Sequence, residues 1–188
     1  MNKYLILVKH SLPEIVKNVP AREWKLSEEG RICALRLAER LNSYQPEVIV
    51  SSIEPKAQET AEIIARKHNL TFQIFEGLHE HDRNKTQYLS KDEFQDSVRK
   101  FFEGPETLVF GNETADECHR RFDQAVKSVL NHYGDKTIVI VAHGTVISLF
   151  VSRLTGISDL FLWNELGLPS FVIIDIQKAI LIERENII

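Results

Sequence analysis

The chain has 188 residues, 43% of them hydrophobic and 27% charged, which suits one globular domain with a proper core. A formal net charge of −4, with no basic stripe or long Lys/Arg run, argues against a nucleic-acid binder. The apolar run after Lys3 is too short for a signal-peptide core and no stretch approaches a membrane span, so a cytoplasmic protein with no membrane partner is expected.

The first predicted strand is Tyr4-Leu5-Ile6-Leu7-Val8, and Lys9-His10 stands at its exit. An apolar, β-branched-rich run of this kind reads as a strand buried on both faces, as in parallel sheets. A polar loop over 11–25 follows, with Pro13, Pro20, Asn18 and Arg22. Ser27 is placed to cap a helix whose first turn holds Glu28 and Glu29, and Ile32, Leu35, Ala38 and Leu41 give that helix an apolar stripe. Val48-Ile49-Val50 makes the second strand, with Ser51-Ser52 at its exit. A helix from about Pro55 to His68 comes next, with Pro55 at the first helical position. A short third strand spans 72–75.

From 76 to 112 the chain is charged, aromatic and loop-rich, and reads as a cap-like insertion over the sheet edge within the single domain 1–188. Within it Ser90/Glu93 forms a capping box for a helix reaching Phe102, which Gly104-Pro105 ends. Thr114/Glu117 is a second capping box, ahead of a stripe of Ala115, Cys118, Phe122, Ala125, Val126, Val129 and Leu130. The strand over 137–142 then delivers His143-Gly144-Thr145 into a helix to about Leu154. Two final strands, over 171–176 and 179–183, flank Gln177-Lys178, the last as an antiparallel edge. Cys33 and Cys118, at no metal or redox spacing, read as buried reduced thiols. Strand–helix alternation with right-handed crossovers makes an α/β, three-layer α/β/α sandwich with a mostly parallel sheet the expected fold.

Three strand exits carry polar groups: Lys9-His10, Ser51-Ser52 leading to Lys56, and His143-Gly144-Thr145. If the first and fourth strands are neighbours, two imidazoles and two lysines meet at the carboxyl edge, where ligands of open α/β sheets bind. Such a pocket suits a phosphate, helped by helix N-termini. Glu80, in Leu78-His79-Glu80-His81-Asp82-Arg83, could act as a proton donor there. Taken singly, each residue has a plainer reading, as a structural histidine or a solvated lysine. The His79-to-Asp82 cluster has two: a metal site, disfavoured because no third and fourth ligands stand at a recognised spacing, or an exposed polar turn. A dinucleotide-binding module is disfavoured, because no Gly-x-Gly-x-x-Gly follows the first strand.

Four motifs in order resemble those of the histidine phosphatase superfamily, the phosphoglycerate-mutase-like group. Leu7-Val8-Lys9-His10-Ser11 stands for its strand and Arg-His-Gly, and Leu26-Ser27 to Gly30 for its helix entry. Ser51-Ser52 with Lys56-Ala57-Gln58-Glu59-Thr60-Ala61 matches Ser-x-x-x-Arg-Ala-x-x-Thr-Ala. Leu78-His79-Glu80 and Val141-Ala142-His143-Gly144 match the acid and second-histidine segments. The resemblance implies that His10 is the nucleophile, His143 a stabiliser of the transferring phosphoryl group and Glu80 the proton donor. It places Lys9 and Lys56 where the family has phosphate-gripping arginines. Gly144, Arg83, Arg22 and Asn18 are further candidate phosphate contacts. Ser11 replaces the usual glycine, and the usual Thr-x-x-Asn after it is absent. A lysine ammonium keeps the arginine's charge but not its two-pronged grip. The activity implied is a phosphatase acting on a small phosphorylated substrate without metal or other cofactor. The alternatives are a catalytically silent phosphate-binding or interaction module, or a mutase; the stretch between Glu80 and His143 looks short for the mutases' larger insert.

Overall fold

The apolar runs form the strands of one six-stranded sheet, in the order β3-β2-β4-β1-β5-β6, in a computed structural model that describes residues 4–83 and 89–187. The strands are β1 (Leu5–Lys9), β2 (Val48–Ser51), β3 (Phe72–Ile74), β4 (Ile138–Ala142), β5 (Ser170–Asp175) and β6 (Ile180–Asn186). β1 and β4 are parallel neighbours, with Leu5 opposite Ile138 and Lys9 opposite Ala142. β2 is parallel to β4 and β3 to β2. β5 runs antiparallel to β1, and β6 antiparallel to β5. β6 is the antiparallel edge that the sequence predicts; the short β5–β6 turn makes that pair a hairpin, and it joins β1 through β5, which also pairs antiparallel.

Alternation along each strand splits the apolar side chains between two cores. Leu5, Leu7, Ile138, Ile140 and Val172 face one side, where they meet α4 (Ala115–Tyr133), α5 (Gly144–Thr155) and Val98 and Phe101 of α3 (Lys91–Glu103). Ile6, Val8, Val139, Val141 and Phe171 face the other, against α1 (Glu28–Arg40) and α2 (Pro55–Lys67). The result is the expected three-layer sandwich with a mostly parallel sheet.

Both capping boxes form, Ser90 with Glu93 and Thr114 with Glu117. Cys33 and Cys118 are buried free thiols. The α1 stripe holds in part: Ala38 and Leu41 are buried as expected, but Ile32 and Leu35 are about half exposed, and Gly30, Cys33, Ala34 and Leu37 are buried instead. Small side chains let this helix lie close to α2, so its inward face is set by size as much as by hydrophobicity. A further helix, α6 (Asp159–Glu165), and a short 3-10 turn, Ala21–Glu23, occur where no element was predicted.

At Gly30 an added Cβ would lie 2.0 Å from the Leu12 carbonyl oxygen, a backbone atom that cannot swing aside. Gly30→Ala is expected to destabilise the fold by about 2 kcal/mol through this overpacking, read as a lower midpoint in denaturant titration.

Candidate active site

The strand register sets the site. Because Lys9 pairs with Ala142, the next residues, His10 and His143, leave the sheet side by side, with ring centroids 5.2 Å apart. His10 N–H donates to the Ala142 carbonyl at 3.1 Å and Ser52 N–H to that of Val141 at 2.9 Å, tying all three strand exits together. α1 and α2 continue onto one face and α5 onto the other, so the chain parts at this edge and a cleft opens. The cleft, about 450 Å³, is lined by Lys9, His10, Lys56, Glu80, Arg83, His143 and Gly144 among others.

Seven of the nine predicted site residues therefore converge. Asn18 and Arg22 do not line the cleft. Asn18 is exposed at a turn with φ of 65°, and Arg22 is an exposed side chain 3.8 Å from Glu23. The same loop contributes instead the Ala21 carbonyl and the ring of Trp24.

His10 is 7% exposed. Its Nδ1 lies 2.7 Å from the Ser11 carbonyl oxygen. A carbonyl only accepts, so Nδ1 carries the proton and Nε2 keeps its lone pair. Burial, and then the neighbouring His143 and Lys56, push its pKa well below the ordinary histidine value, which keeps the ring neutral at physiological pH. Ser11 is itself used. Its hydroxyl donates to the Gly30 carbonyl at 2.7 Å, and its N–H donates to Thr60 Oγ1 at 3.1 Å.

The two lysines are held differently. Lys9 Nζ donates to the Leu166 carbonyl at 2.6 Å, and burial lowers its pKa while Glu80 works against that. An added Cβ at Gly144 would sit 3.1 Å from Lys9 Cε, so the glycine lets this side chain pass. Lys56 Nζ donates to the Ala21 carbonyl at 2.8 Å and to the carboxylate of Glu54. Both members of this ion pair are nearly fully buried, with side chains 7% and 6% exposed. Sequence reasoning does not single out Glu54; its one signal is an acidic residue just before a Pro-initiated helix that also carries the pocket lysine. Removing one partner of a buried pair strands the other charge. Lys56→Met is accordingly expected to destabilise the protein by about 3 kcal/mol, and the double variant with Glu54→Gln to recover most of that in the same denaturation assay.

Glu80 is fixed by backbone groups. Its carboxylate accepts from His81 N–H at 2.9 Å and Thr145 N–H at 3.2 Å, and its own N–H donates to Glu54 Oε1 at 2.8 Å. Burial pushes the carboxyl pKa up, but His143, Arg83 and the His81 amide outweigh it, so the group stands as a carboxylate, held below the ordinary value. Arg121, also absent from the sequence reading, anchors this segment. Its guanidinium donates to the carbonyls of Gly77, His79 and Glu80 at 2.7, 2.9 and 3.2 Å, and to Glu113 at 2.6 Å. Glu113 in turn accepts from Asp82 N–H at 3.0 Å. No local pattern links Arg121 to a loop some forty residues earlier.

His143 is completely buried at the N-cap position of α5. Its Nε2 is 2.8 Å from Ser52 Oγ and 3.4 Å from Glu54 Oε1. Burial first, then Lys56, holds its pKa well below the ordinary value. The metal reading of the 79–82 cluster gains no geometry. His81 packs 4.3 Å from the Phe101 ring with Nε2 3.2 Å from the Glu113 carbonyl, and among the described residues no three His, Cys, Asp or Glu side chains could hold one ion. Arg83 lies 4.8 Å over the Phe94 ring, and Phe94 and Trp163 rings stand 6.1 Å apart beside the cleft.

The chain and its fold have counterparts among known proteins. Residues 5–179 match the family model described as histidine phosphatase superfamily (branch 1). No curated protein matches the chain in sequence. Among solved structures, a phosphoserine phosphatase from Entamoeba histolytica in complex with 3-phosphoglyceric acid is similar, with a TM-score of 0.78 at 19% identity, covering 98% of this chain and 97% of that one. A mycobacterial glucosyl-3-phosphoglycerate phosphatase complexed with VO3 gives 0.74 at 22% identity, covering 92% of each chain. Bacillus stearothermophilus YhfR gives 0.68 at 23% identity, covering 91% and 92%. At these identities the structures show a shared fold. Among the described residues, no helix is long and apolar enough to cross a membrane.

Proposed function

The chain belongs to the histidine phosphatase superfamily, branch 1, and from that membership and its cleft we propose a phosphatase that hydrolyses a small phosphomonoester through a phosphohistidine on His10. One observation carries this reading: the neutral His10 ring spends Nδ1 on the Ser11 carbonyl, leaving Nε2 as the nucleophilic nitrogen in a cleft lined by cations.

His10 Nε2 attacks phosphorus and the ester P–O bond breaks. The leaving alkoxide takes a proton from Glu80. Water then attacks the phosphoenzyme, giving a proton to Glu80, and the N–P bond breaks to release phosphate. Lys9, Lys56, Arg83 and His143 oppose the charge on the phosphoryl oxygens. Glu80 must be protonated for the first step, and a phosphate dianion beside it raises its proton affinity, opposite in sign to His143 and Arg83. The alcohol portion would meet Trp24, Phe94, Trp163, Gln95 and Asn164. Phosphoserine and glucosyl-3-phosphoglycerate, which name two of the similar proteins, are the first substrates to try.

Nucleophile, acid and cations are all side chains of this chain, so the reaction as written calls on no metal. p-Nitrophenyl phosphate hydrolysis in excess chelator tests this; activity lost to the chelator would contradict it. One feature favours the competing binding-module reading, namely that Lys56 is already paired with Glu54. A module of that kind would bind phosphate with no turnover of any ester.

A further inference from the structure

A carboxylate beside the phosphate-binding lysine is out of place in an anion pocket unless it serves another group. Glu54 is 5% exposed and touches three parts of the site: Lys56 Nζ, the Glu80 amide and, at 3.4 Å, His143 Nε2. A carboxylate only accepts, so the proton on the His143 ring belongs on Nε2, toward Glu54 and Ser52. Nδ1 is then the lone-pair nitrogen, and it is buried with no hydrogen-bond partner. A neutral Nδ1 repels a phosphoryl oxygen; a protonated one donates to it.

Building on the phosphatase reading, we propose that Glu54 is a positioning residue that holds the His143 Nε2–H and makes imidazolium formation favourable when phosphate binds. As the dianion enters, Nδ1 takes one proton from solvent and no other bond changes. The cation then lies between the Glu54 carboxylate and the phosphoryl oxygens, the way a buried aspartate steadies the histidine of a hydrolase triad. The charged groups around His143 set the balance. Lys56, Arg83 and His79 oppose the imidazolium, Glu80 and Glu54 favour it, and the adjacent His10 ring, being neutral, adds no charge. Among these Glu54 alone lies against the nitrogen that already bears the proton.

The test is a histidine 15N spectrum of the wild-type protein titrated with inorganic phosphate, joined to p-nitrophenyl phosphate kinetics of Glu54→Gln and Glu54→Asp. The wild-type His143 ring is expected to become doubly protonated as phosphate saturates near neutral pH. In Glu54→Gln the ring stays neutral, and kcat falls about 10–100-fold. The alkaline limb of the kcat profile moves to lower pH. Inorganic phosphate inhibits this variant more weakly near neutral pH, because the imidazolium that meets the anion no longer forms, and lowering the pH restores both inhibition and kcat; a merely structural defect would not be rescued by protons. Glu54→Asp, which keeps the charge, recovers part of kcat. A wild-type ring that stays neutral at saturating phosphate, or Glu54→Gln with unchanged kcat and pH limb, overturns the Glu54 role while leaving the phosphatase intact. Wild type that neither binds phosphate nor turns over overturns both.

Discussion

Replacing His10 by Ala is expected to lower turnover by at least about 10³-fold and to abolish the phosphoenzyme. The size follows from the role. The nearest imidazole, His143, is not a ready substitute: Ser52 and Glu54 hold its Nε2, and in the proposed cycle its Nδ1 takes up a proton as phosphate binds, which removes its lone pair. His10 is also buried, and its loss leaves the Ser11 carbonyl without the ring that now donates to it, at a cost of about 1–3 kcal/mol. His10→Gln, closer in volume and still able to donate, separates the two effects: it should fold better than His10→Ala and be equally inactive. Normal turnover in a folded variant would remove His10 from the chemistry.

Glu80→Gln is expected to show a dependence on leaving group. Alkyl phosphates release a strongly basic alkoxide and need the proton, so they should slow by about 10²–10⁴-fold. p-Nitrophenyl phosphate releases a stable phenolate and should slow much less. His81 N–H and Thr145 N–H bond to different oxygens of the carboxylate, so Gln keeps one of these bonds and loses the other, while Arg121 still holds the loop through the carbonyls of Gly77, His79 and Glu80. The carboxylate's lowered pKa makes the contrast informative, since the proton it donates has to arrive with the substrate's charge. Equal slowing of both esters would assign Glu80 to positioning instead.

Much of this site was legible because strands and their exits are local signals. The apolar runs ending in Lys9-His10 and Ala142-His143 define buried strands, and parallel neighbours with adjacent exits follow from the topology. The capping boxes at Ser90 and Thr114 placed two helix starts, since the hydrogen bonds of a cap involve residues three apart. Other features depend on contacts far apart in sequence. The burial of Ala34 and Leu37 in place of Ile32 and Leu35 depends on how closely α2 approaches α1, which helical spacing does not carry. Arg121 reaches the carbonyls beneath Glu80 across the tertiary fold. Asn18 and Arg22 lie in a loop whose path is set by its 3-10 turn, and that turn presents the Ala21 carbonyl to the site. Glu54 was legible as a residue but not as a partner. Only the fold shows that its carboxylate joins Lys56, the Glu80 amide and His143.

The central claim is a covalent phosphohistidine on His10, and the most direct measurement is to trap it. The protein is mixed with a phosphomonoester that it turns over, quenched in alkali, where a phosphohistidine survives, and digested for peptide mass spectrometry. The account predicts phosphate on the peptide containing His10, lost on acid treatment, absent from His10→Gln and never on the peptide containing His143. Steady turnover with no phosphopeptide, or with phosphate on another residue, would contradict it.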